Sequence, residues 1–421
     1  MFKRKSIRHA ILLSLSLSML FVGLPTTQIH AASAETRILL DGYDLPFSAA
    51  PTVIQGSTMV PFRSIAEALN ISVEWNPKAQ TITAKSRGVG EATTVILTLN
   101  KKQAVVNGEA VNIPIAPIQM KGSVLVPLSF FSKQFGAGVA WDAGTRQVLI
   151  TSPQQAIYRL GFYAISSFAE RSYVNEFDGV AFGWARIQED GTVTTSGKDF
   201  YWPKASGDVS PESIVTDAAS GGVKPSLMVF AGDRGGELTK MIEDDQLREK
   251  AITDIVALAR DKGFGGITLD FEGLGLTGDR EQAKQSYTKF VKQLAEQTGP
   301  AGLQLSLALH PLNSSYQGYD YKALGKVADE LIIMAYAYEG EKGPEPLKRV
   351  DDAIKLAMQE TSKDKLLLGI SMGSENEQSI SSKIGLAKRY DLKGIAIWRI
   401  GLIGDSSLAK MNESTMRASG Q

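Results

Sequence analysis

The chain reads as an α/β protein, a (β/α)8 TIM barrel preceded by a small duplicated α+β module. Three observations predict this. Residues 35–152 contain an internal duplication, Ser152-Pro153-Gln154-Gln155 forms a short polar break, and beyond it eight short apolar runs alternate with longer amphipathic stretches. Alternating strands and helices joined by short loops specify a parallel sheet, and eight strands close most economically into a barrel. Residues 157–421 are also close to the roughly 250 residues of such a domain.

Composition bounds the function. The 421 residues carry 45 basic and 45 acidic side chains, and this balance argues against a broad nucleic-acid-binding surface. The chain has no cysteine, so neither disulfides nor a thiol-linked lipid contribute and stability must come from packed cores.

Residues 1–34 stand apart. Lys3, Arg4, Lys5 and Arg8 precede the apolar run Ala10 to Leu24, followed by Ile29-His30-Ala31 and Ala32-Ser33-Ala34. This order predicts a secretory signal peptide with A-x-A-like cleavage sites. An uncleaved anchor is disfavoured because the run is short and interrupted by Ser14, Ser16 and Ser18, and no later stretch could span a bilayer. The expected location is extracellular, a disulfide-free secreted chain fitting a Gram-positive exterior, without membrane attachment after cleavage.

The duplication carries a constant offset of 66 positions: Asp41-Gly42 recurs as Asn107-Gly108, Val60-Pro61-Phe62 as Val126-Pro127-Leu128, and Val73-Glu74-Trp75-Asn76 as Val139-Ala140-Trp141-Asp142. Each copy predicts a hairpin turning at the Asp-Gly or Asn-Gly pair, a Val-Pro entry into a helix (62–69 or 128–135), and a second hairpin turning near Asn76-Pro77 or Asp142-Ala143. Trp75 and Trp141 are expected under the hairpins as core residues, with exposed sugar platforms as the alternative. His9, His30 and His310 are the only histidines, so residues 35–152 offer a transition metal neither His nor Cys. The pattern resembles the copper amine oxidase N-terminal-like stalk domain. The resemblance implies a spacer or wall-adhesion unit.

Barrel strands are expected at 158–165, 179–184, 224–230, 266–271, 303–309, 330–336, 365–371 and 394–400. Leu247, Ala251, Ile255, Leu258 and Ala259 share one face of a helix that ends at Gly263, and Ala283, Tyr287, Phe290, Val291 and Leu294 do so before Gly299.

The fourth run, Phe264 to Gly273, delivers two carboxylates. Side chains on a strand alternate faces, so Thr268, Asp270 and Glu272 point one way while Ile267, Leu269 and Phe271 point the other. Neighbouring acids resist ionising together, which predicts opposite pKa shifts, one acid protonated beside one charged. The plain alternative is a salt-bridging or capping pair. Reactive groups of such barrels project from strand C-termini, and there Tyr336, Trp398, Trp184 and His310 join the two acids. Acids, a phenol and indoles at one mouth form a carbohydrate-site composition.

These residues resemble glycoside hydrolase family 18, the chitinase-like barrels, and within it the spore-germination and cortex-lytic branch. Gly265-Gly266-Ile267-Thr268-Leu269-Asp270-Phe271-Glu272 stands where the family has D-G-x-D-x-D-x-E, keeping the last two acids and replacing others with Gly265 and Thr268. Met334-Ala335-Tyr336-Ala337 keeps the tyrosine of M-x-Y-D and loses its acid, and Ile397-Trp398-Arg399 matches the W-bearing eighth strand. The resemblance implies retaining, substrate-assisted cleavage of β-1,4 bonds beside N-acetylglucosamine in peptidoglycan, spore cortex or chitin-like glycans, with no metal or organic cofactor. Glu272 would be the general acid, Asp270 the group orienting the acetamide, and Tyr336 a hydrogen-bond donor to its carbonyl. Trp398 would form the apolar floor, and Trp184, Met334, Thr268 and Tyr163 the rest of the substrate lining, though for Tyr163 core packing is an equal alternative. A barrel that binds wall glycan without cutting it, and a purely structural adhesin, are the competing readings.

Four other features have plain readings. His310 is expected as a loop hydrogen-bonder, Asp233-Arg234-Gly235-Gly236 as a mobile rim loop with Arg234 a candidate for gripping a lactyl or phosphate group, and Glu339 and Glu341 as substrate-touching or solvated. Asp351 to Thr361 is expected to be an amphipathic barrel helix without further role.

Overall fold

In the computed structural model, residues 36–86, 92–336, 338 and 342–418 are described. The leader, Ala337, Glu339 and Glu341 lie outside them. Thr36 to the C-terminus forms one compact unit.

The two copies of the duplication interlock rather than standing side by side. The hairpin Arg37–Leu40/Tyr43–Asp44 turns at Asp41-Gly42 with φ of 50° and 81°, left-handed geometry that suits an Asp-Gly pair. Its first strand then pairs in parallel with Gln147–Thr151, the last strand of the second copy. Ser57–Pro61 and Ser123–Pro127, equivalent strands of the two copies, pair with each other. The helices follow as expected, at Phe62–Ala68 and Leu128–Gln134, each entered through proline. A strand the repeat pattern does not contain, Thr94–Thr98, bridges Thr81–Ser86 to Gln103–Val106 and completes a five-stranded sheet. Of the paired tryptophans, Trp75 is half-buried against this module's core, but Trp141 is 55% exposed. The expectation that both are core residues is therefore corrected for Trp141.

The barrel has eight parallel strands: β1 (Gln155–Tyr163), β2 (Gly179–Ile187), β3 (Lys224–Ala231), β4 (Gly266–Phe271), β5 (Gln304–Leu309), β6 (Glu330–Ile333), β7 (Leu366–Ser371) and β8 (Gly394–Trp398). Each pairs with the next and β8 pairs back to β1, so the sheet closes. The sixth strand stops earlier than expected. After Ile333 the chain makes tight local bonds, Ala335 N to Ile333 O at 2.8 Å and Tyr336 N to Met334 O at 2.8 Å, which take these groups off the ladder.

The expected helices cover the barrel. Asp244 caps Asp245–Asp261 by accepting from Gln246 N and Leu247 N, and Asp279 caps Arg280–Ala301 in the same way. Their apolar faces bury Ala251, Ile255, Tyr287, Phe290 and Leu294 against the outside of the strands. No helix among the described residues is long and apolar enough to cross a membrane.

Helix Leu347–Glu360 has a role the sequence reading denied it. Tyr43 of the N-terminal module donates to Asp351 at 3.0 Å, Tyr390 of helix Ile380–Arg389 donates to the same carboxylate, and Asn70 Nδ2 donates to Lys388 O at 2.7 Å. The module is thus held on two barrel helices. A Cβ added at Gly385 would lie 2.4 Å from that of Asp41, so glycine is what permits the close approach.

Candidate active site

The barrel lumen is lined by alternate residues of its strands, including Leu160, Phe162, Ala181, Met228, Ala308, Met334 and Ala396. Asp270 of β4 pairs in register with Phe230 and Ala308, both on that inner side, and so projects into the lumen near its C-terminal end. Thr268 lies one step deeper on the same face, fully buried, and its hydroxyl shares a 2.8 Å hydrogen bond with Ser226 of β3. Glu272 follows just past the strand end, where its N–H still extends the ladder to Ala231 O at 2.8 Å.

Asp270 is 3% exposed, and its Oδ1 has no hydrogen-bond partner among the described residues. Burial, and after it the charge of Glu272, hold its carboxyl well above the ordinary carboxylate range. Burial also raises Glu272. The sequence reading expected opposite shifts; here burial outweighs everything else and moves both carboxyls upward.

Tyr336 and Trp398 pack against the same lumen cluster. Burial first, then Asp270 and Glu272, push the Tyr336 phenol far up, which keeps it a donor. Its ring lies against Gly369 of β7, where an added Cβ would sit 3.0 Å from Cε1. Trp398 ends β8 against Phe162 at 5.3 Å between ring centroids and Phe200 at 6.3 Å, and a cis peptide bond joins it to Arg399.

Six of the residues singled out from sequence, Asp270, Glu272, Thr268, Met334, Tyr336 and Trp398, therefore meet in or at the lumen. Two do not. Tyr163 and Trp184 are each 4% exposed and stand in the layer between strands and helices, packed edge-on at 5.9 Å and joined by Phe182. Strand alternation is the reason: Phe162 and Ala181 take the inward positions of β1 and β2, so Tyr163 and Trp184 face out.

The minor candidates also move. Among the described residues the His310 imidazole packs rather than serving as a loop hydrogen-bonder. Its ring stacks on Tyr316 at 4.0 Å, its Nε2 is buried without a partner among the described residues, and burial pulls its pKa down to about 4. Asp233 is tied into the structure, accepting from Thr239 N at 2.8 Å and Oγ1 at 2.7 Å.

Tyr319 was missed. Its buried hydroxyl donates to Phe271 O at 2.8 Å and accepts from Leu274 N at 3.3 Å, bracketing Glu272. The turn after Glu272 is kept close by small residues: Gly318 N donates to Leu274 O at 3.1 Å, and a Cβ on Gly318 would meet Leu274 at 2.6 Å. The available signal was Gly318-Tyr319 beside Gly273-Leu274-Gly275, glycines that permit two loops to touch.

Solved structures define the class of fold. The spore cortex-lytic enzyme SleL of Bacillus cereus superposes with a TM-score of 0.53 at 18% identity, over 64% of this chain and 77% of that one. A chitinase from Chromobacterium violaceum ATCC 12472 does so at 0.52 and 20% identity, over 62% and 99%. The sequence profile of Glycosyl hydrolases family 18 matches residues 160–375, just over half of the chain, and the chain belongs to that family. The Copper amine oxidase N-terminal domain matches residues 39–150. Among curated relatives, the Cortical fragment-lytic enzyme of Bacillus subtilis (strain 168) is 30% identical over 139 residues, 31% of each chain. The chain matches less than half the length of these relatives.

Proposed function

We propose that this chain is a secreted glycosidase that cleaves β-1,4 linkages beside N-acetylglucosamine in wall or spore-cortex peptidoglycan, or in a chitin-like glycan, with retention and with the substrate's own acetamido group as nucleophile. Its domains would be a leader over 1–34, the duplicated module over 35–152 and the barrel over 157–421. One observation carries the reading: a buried and a half-buried carboxyl, Asp270 and Glu272, both raised above the ordinary range, stand together at the end of β4, beside a phenol and an indole.

Glu272, at the rim and holding its proton above the ordinary range, would protonate the leaving oxygen and then activate water. Asp270, deeper and with Oδ1 open, would orient the acetamide N–H and stabilise the oxazolinium cation that forms. Tyr336 would donate to the acetamide oxygen. Trp398, backed by Phe162 and Phe200, gives a sugar ring its apolar floor. Met334 and Thr268 shape the space beneath. Tyr163 and Trp184 would act by packing, behind the sugar-facing layer.

The binder reading keeps one specific support: the residue one step beneath Asp270 on the same face of β4 is Thr268, bonded to Ser226, and a hydroxyl there cannot take up the Asp270 proton as a carboxylate would. Digestion of purified peptidoglycan, cortex fragments and chitooligosaccharides by the chain and by Glu272→Gln separates the readings, with reducing ends followed over time. Loss of general acid catalysis should slow release by about 10²–10⁴-fold. Release unchanged in the variant overturns the catalytic assignment, and no release from any substrate with retained pull-down favours the binder.

A further inference from the structure

The N-terminal module contains a groove of about 760 Å³ whose lining includes Trp141, Phe130, Val53, Ser57, Ser129 and Lys133. Trp141 is 55% and Val53 60% exposed, while Phe130 is seated against the module's core and cannot swing away. Trp141 leans over the groove from the same strand face as Val139, which is also anchored on that core. The space is within the range of small-ligand clefts, and its mixture of fixed aromatic surface with hydroxyls suits a pyranose, which offers an apolar ring face and a polar edge.

The duplication supplies an internal control. In the first copy the equivalents of Ser129, Phe130, Lys133 and Ala140 are Arg63, Ser64, Glu67 and Glu74. Trp75, at the position of Trp141, is half-buried, and Arg63, Glu67 and Glu74 of that copy are exposed. One backbone thus carries two surfaces. At these positions the second copy carries no ion except Lys133, the sole ionisable side chain among the described residues that line the groove. A lone cation beside a sugar-stacking surface complements a glycan that bears carboxylates, whereas a neutral chain would leave it unused.

We propose that this groove is a second glycan site, separate from the barrel lumen, that takes a carboxylate-bearing amino-sugar strand of peptidoglycan, with Trp141 stacking on a sugar ring and Lys133 pairing with an acid group. The site deepens the reading of the protein as acting on wall glycan and rests on it. Its function is retention on the polymer, independent of Glu272 chemistry.

The test uses the full chain carrying Glu272→Gln, so that the barrel does not consume the polymer, in co-sedimentation with purified peptidoglycan and with chitin. Adding Trp141→Ala should weaken retention on peptidoglycan several-fold to about tenfold, the scale of one aromatic stacking contact. Lys133→Glu should weaken it on peptidoglycan and leave chitin binding unchanged, and the weakening by Trp141→Ala should persist when salt has removed the Lys133 effect. Ala140→Glu, which restores the first copy's acid, should also weaken binding without disturbing the core. Unchanged retention in Trp141→Ala overturns the proposal, as does a shift from dimer to monomer in that variant without change in glycan binding, which would identify a second copy as the occupant. Parallel turnover of soluble fragments by the chain with Glu272 intact separates the two claims. Trp141-dependent retention without turnover sinks only the catalytic reading, and turnover without Trp141-dependent retention sinks only the groove.

Discussion

Tyr319→Phe removes one oxygen and should cost more rate than its distance from the sugar suggests. The hydroxyl is buried, donates to Phe271 O at 2.8 Å and accepts from Leu274 N at 3.3 Å, so it fixes the backbone on both sides of Glu272. Its loss leaves a buried carbonyl and a buried N–H to find other partners, a penalty of about 1–3 kcal/mol. In a domain of this size each kcal/mol lowers Tm by about 2–4 °C, so a fall of several degrees is expected. The rate effect has a separate origin. A misplacement of about 1 Å can cost about 10²-fold, but Gly318 N still holds Leu274 O at 3.1 Å, so the loop should move less and kcat should drop by roughly tenfold. Tyr336 and Trp398 are untouched, so KM should stay near that of the parent. The assay is steady-state release of reducing ends well below the Tm of either protein, with kcat and KM separated and the pH profile recorded. An unaltered kcat in a fully folded variant refutes the claim that Tyr319 positions Glu272.

Three further changes probe other parts. Asp270→Asn should raise Tm at pH 7 while abolishing most turnover: a carboxyl whose folded pKa is raised stabilises only below its unfolded value near about 4, and it loses that contribution as pH rises, a penalty the amide does not carry. Thermal melts from pH 4 to 8 should show the variant's advantage growing with pH, and a constant or reversed difference contradicts the burial argument. Asp351→Ala should loosen the N-terminal module. Burial alone would raise Asp351, yet hydrogen bonds from Lys355, Tyr390 and Tyr43 outweigh it and hold the carboxyl low, so its contribution is present above about pH 4 and lost as pH falls through the folded value. The expected cost is at least about 1.5 kcal/mol at pH 7, with faster proteolysis near Ser152 and a gap from the parent that narrows as pH falls below about 4. Lys383→Met should destabilise by about 3–5 kcal/mol in denaturant titration, because it strands buried Glu375, whose carboxylate lies 3.1 Å from the Lys383 ammonium; a loss under 1 kcal/mol would mean that water repairs the site.

Eight barrel strands were legible because each is a nearly unbroken apolar run, as parallel strands buried on both faces must be. Where strands end was less legible: the stop at Ile333 depends on local bonds at Ala335 and Tyr336 that no hydropathy pattern encodes. The duplication was readable from its constant spacing, yet its interlocking was not, since the partner of Arg37–Leu40 lies more than a hundred residues away. Thr94–Thr98 fell between the copies and so outside the repeat logic. Trp75 and Trp141 mark the limit of that logic, because identical positions in a repeat acquire different burial once their neighbours diverge.

The acids of β4 bring the two kinds of inference together. Period-two alternation assigns Thr268 and Asp270, with Glu272 after them, to one face, and the same rule on β1 and β2, where the paired Phe162 and Ala181 point inward, turns Tyr163 and Trp184 outward. Alternation alone could not distinguish a structural acid pair from a reactive one; the surroundings can. A structural carboxylate in a core has partners, as Glu330 has a hydrogen bond from Ser306 at 2.8 Å and an ion pair with Lys393 at 2.8 Å, and as Asp351 has two tyrosines and a lysine. Asp270 is as buried as either, but no cation pairs with it among the described residues, and its Oδ1 is left open toward the lumen. An unbonded buried acid destabilises the fold that contains it, so its presence beside Glu272 is better explained by a ligand that completes it than by the architecture.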